Sequence, residues 1–111
     1  NIGLDSHFGD RVPNWICHIM THCRYRNLGT TALHLSYVAK GGYAVMVACT
    51  PKLWDIAAGA LITQNAGALV SDLQGNPIWP QDLHSYQGQA LPIVVGAAEG
   101  HQKIIELIAN E

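Results

Sequence analysis

Apolar and polar positions switch period several times along this chain. Ile2-Gly3-Leu4-Asp5-Ser6-His7-Phe8 alternates apolar with other residues, as a half-buried strand does, and Gly9-Asp10 ends it. Pro13 suits the start of a helix, and Trp15, Ile16, Ile19 and Met20 recur at helical spacing, which predicts a helix to about His22 with those four on its apolar side. A short strand through Tyr25 comes next. Gly29 then precedes Thr30, a good N-cap, while Lys40 suits a last turn and Gly41 a C-terminal stop, so a helix is expected over residues 30–40. Its residues Ala32, Leu33, Leu35, Val38 and Ala39 cover most of the circumference, which predicts burial between layers.

Residues 43–49 form a continuous apolar, β-branched run, the pattern of a strand covered on both faces. A helix opening at Pro51-Lys52-Leu53-Trp54-Asp55 should end near Asn65-Ala66-Gly67. A short strand over residues 68–72, a turn at Gln74-Gly75-Asn76-Pro77 and an irregular loop over 78–89 follow. A buried strand over 91–96 carries Pro92 near its start, where it does least harm. The last element is an amphipathic helix over 101–110 with Ile104, Ile105, Leu107 and Ile108 inward. The order β-α-β-α-β-α-β-β-α predicts a single layered α/β domain with a mixed, partly parallel sheet and flanking helices.

The Trp54-Asp55 helix is the stretch the rest is arranged around. Ala57, Ala58 and Ala60 are strong helix formers of little bulk, so this helix can lie close to a neighbour. Asp55 falls in its first turn, at the positive end of the helix dipole, where a carboxylate is favoured. Such a carboxylate either caps its own helix or faces a cleft and binds a cation.

Composition narrows the classes. With 111 residues, 49% of them hydrophobic, the chain suits one domain with a real core. A net charge of −2 with six Lys and Arg gives no basic stripe, so no nucleic-acid partner is expected. The apolar runs fall far short of a membrane span and nothing resembles a signal peptide, which points to a soluble cytoplasmic chain without a membrane partner. Cys17, Cys23 and Cys49 are an odd number of thiols, expected to be reduced and buried. The chain begins at Asn1 without an initiator Met, as a part of a longer protein would.

Three places carry candidate chemistry. Gly29-Thr30-Thr31 at a helix start brings backbone N–H groups, two hydroxyls and a helix dipole together, which makes either an anion site or an ordinary cap. Arg24 and Arg26 just upstream either hold a phosphate or end a short strand in solvent. His18 and His22 share a helix face beside Cys17 and Cys23, a spacing that permits zinc, yet H-E-x-x-H and paired C-x-x-C patterns are both absent. Helix-flank histidines are the simpler account. Neither a nucleophile elbow, a P-loop nor a Gly-x-Gly-x-x-Gly occurs, so no catalytic nucleophile or base is assigned.

Gly29-Thr30-Thr31-Ala32-Leu33, then Val38-Ala39-Lys40-Gly41-Gly42, Trp54-Asp55-Ile56-Ala57-Ala58-Gly59-Ala60, and Gln64-Asn65-Ala66-Gly67-Ala68-Leu69-Val70-Ser71-Asp72 with Gly75-Asn76-Pro77 together resemble the C-terminal half of the inositol monophosphatase family. The resemblance covers residues 24 to 110. It implies the C-terminal part of the family's layered α-β-α-β-α fold and a magnesium-dependent, usually dimeric phosphomonoesterase acting on a phosphorylated small molecule. It further implies that Asp55 binds a catalytic metal and that Gly29, Thr30 and Thr31 contact the substrate.

The family's remaining metal ligands, a Glu and the acids of an Asp-Pro-Ile/Leu-Asp-Gly-Thr motif, belong to its N-terminal half, and no Asp-Gly pair occurs here. Ala48 stands where inositol-specific members carry a sugar-binding Glu, and Ala44 replaces a commonly acidic position, so another sugar or polyol phosphate is as good a substrate as an inositol phosphate. One carboxylate does not hold the two or three magnesium ions of this chemistry, so the chain alone is expected to be inactive. The alternative is a stand-alone, non-catalytic domain acting by anion binding or oligomerisation. Apolar helices left uncovered also predict self-association, as a homodimer.

Overall fold

The computed structural model describes residues 1–4 and 10–110. Its elements run β1 (Ile2–Leu4), α1 (Asn14–His22), β2 (Tyr25–Arg26), α2 (Thr31–Ala39), β3 (Val45–Ala48), α3 (Leu53–Asn65), β4 (Leu69–Ser71), β5 (Ile93–Gly96) and α4 (Ala98–Ala109). This is the expected order. Residues 5–8 of the anticipated first strand lie outside the described residues.

The strands form one sheet in the order β2-β1-β3-β5-β4. β1 pairs with β2 and β3 in parallel, with Ile2 opposite both Tyr25 and Val45. β5 runs antiparallel to β3 and to β4, with Val95 between Met46 and Val70. Four strands therefore point one way and β5 alone reverses.

Connection handedness distributes the helices. The crossover from β1 to β2 moves one way along the sheet, and those from β2 to β3 and from β3 to β4 move the other. Right-handed crossovers in opposite senses put their helices on opposite faces. Accordingly α1 joins α4 on one face, where Trp15, Ile16, Ile19 and Ile104 pack against Leu4, Val45, Val47 and Val94. Leu35 and Val38 of α2 and Ile56 and Ala60 of α3 pack on the other against Met46, Ala48, Val70, Ile93 and Val95. β3 and β5 are buried throughout, as a strand covered on both faces must be.

Two expectations need correction. α2 is not enclosed between layers: Thr31, His34, Leu35 and Val38 are buried, but Ala32 and Leu33 face out, because α2 packs on the sheet with one side and on α3 with another, which leaves the rest of its circumference open among the described residues. Met20 is likewise exposed, since Trp15, Ile16 and Ile19 already fill the contact between α1 and the sheet. In α4, Ile104 is buried while Ile105, Leu107 and Ile108 are half-buried against the same cluster.

Candidate functional site

β2 and β3 are parallel, so the helices that follow them both begin at the carboxyl edge of the sheet. Gly29, Thr30 and Thr31 at the head of α2 and Asp55 in the first turn of α3 are thus brought to the same edge. β1 connects away to β2 and β3 connects the opposite way to β4, so the gap between β1 and β3 is a topological switch point, the place where open α/β sheets bind ligands at the carboxyl ends of their strands. α3, carrying Asp55, starts beside that gap.

The head of α2 is built by side chains on backbone. Asn27 Oδ1 accepts the Gly29 N–H at 2.8 Å, and Gly29 turns the chain at φ +86°, a left-handed conformation that favours glycine. Thr30 is the N-cap, its Oγ1 accepting the Leu33 N–H at 3.0 Å. The Gly29 N–H and the Thr30 hydroxyl are therefore engaged in the cap. Thr30 is exposed and Thr31 buried. Behind them, fully buried His34 accepts the Leu28 N–H on Nε2 at 2.9 Å, fixing the turn from beneath.

Asp55 caps its own helix. Its Oδ2 accepts the Lys52 N–H at 2.8 Å, and its own N–H donates to the Lys52 carbonyl at 2.9 Å, which closes the first turn of α3. The side chain is nonetheless exposed at the carboxyl edge, with its other oxygen not used in that cap.

The loop over residues 78–90 completes this end of α3 in a way that composition did not reveal. The Tyr86 hydroxyl accepts the Leu53 N–H at 2.8 Å, satisfying one of the four orphan donors of the helix, and donates to the Gln89 carbonyl at 2.8 Å. Lys52 Nζ donates to the Gly88 carbonyl, the Leu91 N–H to the Pro51 carbonyl at 2.8 Å, and the Tyr86 ring stands edge-on to exposed Trp54 at 6.2 Å. A Tyr in a polar loop is a weak sequence signal, because the turn it bonds lies 33 residues earlier.

Magnesium takes about six oxygen ligands in near-octahedral geometry, several of them water. Among the described residues no three or more His, Cys, Asp or Glu side chains converge, so Asp55 offers one ligand and the described chain holds no complete magnesium cage. Ala48 is buried in β3 opposite Ile93 and offers nothing to a ligand, while Ala44 is exposed at the opposite, amino edge. No helix among the described residues is long and apolar enough to cross a membrane.

Comparison with known proteins is consistent in direction. The chain is 36% identical over 88 residues to inositol-1-monophosphatase ImpA of Mycolicibacterium smegmatis, an overlap of 78% of this chain and 29% of that one. It is 47% identical over 63 residues to Nus factor SuhB of Pseudomonas aeruginosa, covering 57% of this chain and 23% of the relative. The solved structure of the extragenic suppressor protein suhB from Bartonella henselae superposes with a TM-score of 0.74 at 25% identity, covering 97% of this chain and 41% of that one. The chain thus spans less than a third of either relative's length. The inositol monophosphatase family model matches residues 6–111, and the chain belongs to the inositol monophosphatase family.

Proposed function

We propose that this chain is the C-terminal part of a magnesium-dependent phosphomonoesterase acting on an inositol, sugar or polyol phosphate. In this reading Asp55 supplies one anionic oxygen to a magnesium ion, and the Gly29-Thr30-Thr31 head of α2 meets the phosphorylated substrate. A bound divalent ion neutralises phosphate charge and helps the leaving oxygen depart. The chain's own contribution is to hold an acid and a helix N-terminus at one edge of a rigid sheet, with the Lys52 and Tyr86 bonds keeping Asp55 in place. The observation that carries the reading is the arrival of both elements at the carboxyl edge, with α3 beginning at the switch point.

On this view the chain alone is inactive, because among the described residues a single carboxylate, Asp55, is offered to the ion, too few ligands. Magnesium-dependent phosphate release from a panel of inositol and sugar phosphates tests it in two arms. The chain alone should release none. A chimaera in which it replaces the matching stretch of ImpA should release phosphate and lose that activity by roughly a hundredfold or more when Asp55→Asn is introduced, the scale at which removal of charge from a metal-assisted site is felt. Phosphate release by the chain alone, lost in Asp55→Asn, would show that it assembles a full site and overturn the partial-site reading. An active chimaera indifferent to Asp55→Asn would remove the metal role from Asp55.

A second reading is a non-catalytic domain that binds an anion or assembles with itself. It is favoured by the match to a Nus factor as well as to a phosphatase, and by a band of exposed apolar residues, Leu33, Trp54, Leu61 and Ile62, on α2 and α3. Self-association through that band, as a homodimer in the cytoplasm, belongs to both readings.

A further inference from the structure

His18 and His22 lie on α1, on the face of the sheet away from α2 and α3, and nothing in the phosphatase reading uses them. We propose that this pair is a two-histidine chelate for a borderline divalent transition cation, Ni2+ or Zn2+, with water in the remaining positions.

The spacing is that of one helical turn, and the structure realises the approach it permits: the two ring centroids are 4.3 Å apart, with the planes inclined by 25°. Both side chains are exposed, so an incoming ion displaces solvent and no packing. The second observation concerns the proton. His22 Nδ1 lies 3.1 Å from the His18 carbonyl oxygen, which cannot donate, so Nδ1 carries the hydrogen and Nε2 is left with its lone pair outward. A metal-binding histidine ordinarily has its other ring N–H held by a carbonyl or carboxylate, which fixes tautomer and orientation. His22 has that arrangement before any metal arrives. Metal–nitrogen bonds of about 2.0–2.1 Å require both lone pairs to meet at one point. The proposal requires the exposed His18 ring to leave the stack, while His22 stays held by the His18 carbonyl.

Imidazole nitrogen suits Ni2+ and Zn2+, whereas magnesium demands oxygen, so this chelate is chemically distinct from any ion at Asp55. No third His, Cys, Asp or Glu converges on the pair among the described residues, which makes it a two-ligand site of modest affinity and not a structural zinc cage. Cys17 and Cys23, expected to be buried, are instead exposed on the same stretch, because they flank the buried Trp15, Ile16 and Ile19 positions of α1, and they are the competing ligands to be tested.

Isothermal titration of the untagged chain with Ni2+ and with Zn2+, under reducing conditions and beside His18→Gln, His22→Gln and the Cys17→Ser/Cys23→Ser double variant, decides the matter. All variants are at exposed positions, and circular dichroism checks their helix content. The expected result is binding of one ion per chain by the wild type and by the double Ser variant, weakened roughly tenfold or more in each His variant. Binding that survives either His substitution, binding lost in the double Ser variant, or no binding by the folded wild type would each overturn the proposal.

Discussion

The Ser71 hydroxyl and the His101 Nε2 stand 2.6 Å apart between β4 and α4, both buried. The Ser71 hydroxyl also lies 2.9 Å from the Asp72 carbonyl, so one side chain joins the His101 ring to the backbone of β4's end. Burial holds the His101 imidazole below its usual range by penalising the charged form. The unfolded chain therefore takes up this proton more readily than the folded one. The stabilisation is complete above the ordinary His value of about 6.5 and is lost as pH falls from there towards the folded value. Urea unfolding midpoints should rise with pH on the acid side of about 6.5. His101→Gln should flatten that rise, and an unchanged slope would assign it elsewhere. Ser71→Ala leaves the buried His101 Nε2 without its hydrogen-bond partner and should cost about 1–3 kcal/mol.

That pair marks where sequence reading ends. Element order and type follow from local periodicity, and the apolar runs of β3 and β5 announce burial on both faces. The reversal of β5 does not, because strand direction depends on a connection of 20-odd residues without a helix, whose path no local pattern specifies. The Asp55 cap was legible from its place in a first turn. Tyr86 and His34 were not, because each bonds backbone that only folding brings near. The α2 expectation failed for a related reason: circumference shows that Leu33 is apolar, but not that nothing within the described chain lies over it.

Two glycines in close contacts should respond differently to a methyl group. A Cβ on Gly96 would stand 2.6 Å from the Ala44 carbonyl oxygen and 2.9 Å from the Val45 Cα, backbone that β3 cannot shift without breaking its pairing with β1 and β5. On Gly59 it would meet the Leu35 side chain, 2.6 Å from Cδ1 and 3.1 Å from Cβ. Alanine gains about 1 kcal/mol of helix propensity at position 59, but Leu35 is fully buried and cannot swing away freely. Gly59→Ala should therefore be destabilising by up to about 2 kcal/mol, and Gly96→Ala by about 3 kcal/mol or more, measured by thermal or denaturant unfolding. A neutral Gly96→Ala would contradict the tight β3–β5 contact.

Tyr86→Phe keeps the ring against Trp54 and removes only the hydroxyl that ties residues 78–90 to the head of α3. Leaving the Leu53 N–H without its acceptor should cost about 1 kcal/mol, and hydrogen exchange should quicken at Leu53 more than in the buried strands. Unchanged exchange at Leu53 would mean that the Tyr86 hydroxyl does not hold the helix start, leaving that to the Lys52–Gly88 and Leu91–Pro51 bonds.

Leu61 and Ile62, 57% and 60% exposed, are neighbours on α3, and exposed Leu33 belongs to α2 in the same layer. If this band drives assembly, sedimentation velocity should show a concentration-dependent dimer that Leu61→Ser/Ile62→Ser shifts to monomer, with stability changed little because neither side chain is buried. A clean monomer at high concentration would remove self-association from both functional readings.

Asp55 separates structure from chemistry. Asn keeps an oxygen to accept the Lys52 N–H, so Asp55→Asn retains the closed turn and loses the anionic charge and its interaction with the helix dipole, a change of about 0.5 kcal/mol at an exposed position. Asp55→Ala removes the acceptor as well and should cost about 1 kcal/mol. If Asp55 is only a cap, the ImpA chimaera should lose activity in proportion to this stability order, with Asn nearly harmless. If it is a metal ligand, Asn and Ala should abolish magnesium-dependent turnover alike while differing in unfolding midpoint. Equal stabilities with equal loss of turnover would leave the metal role standing and show that the Lys52 bond adds nothing to the fold.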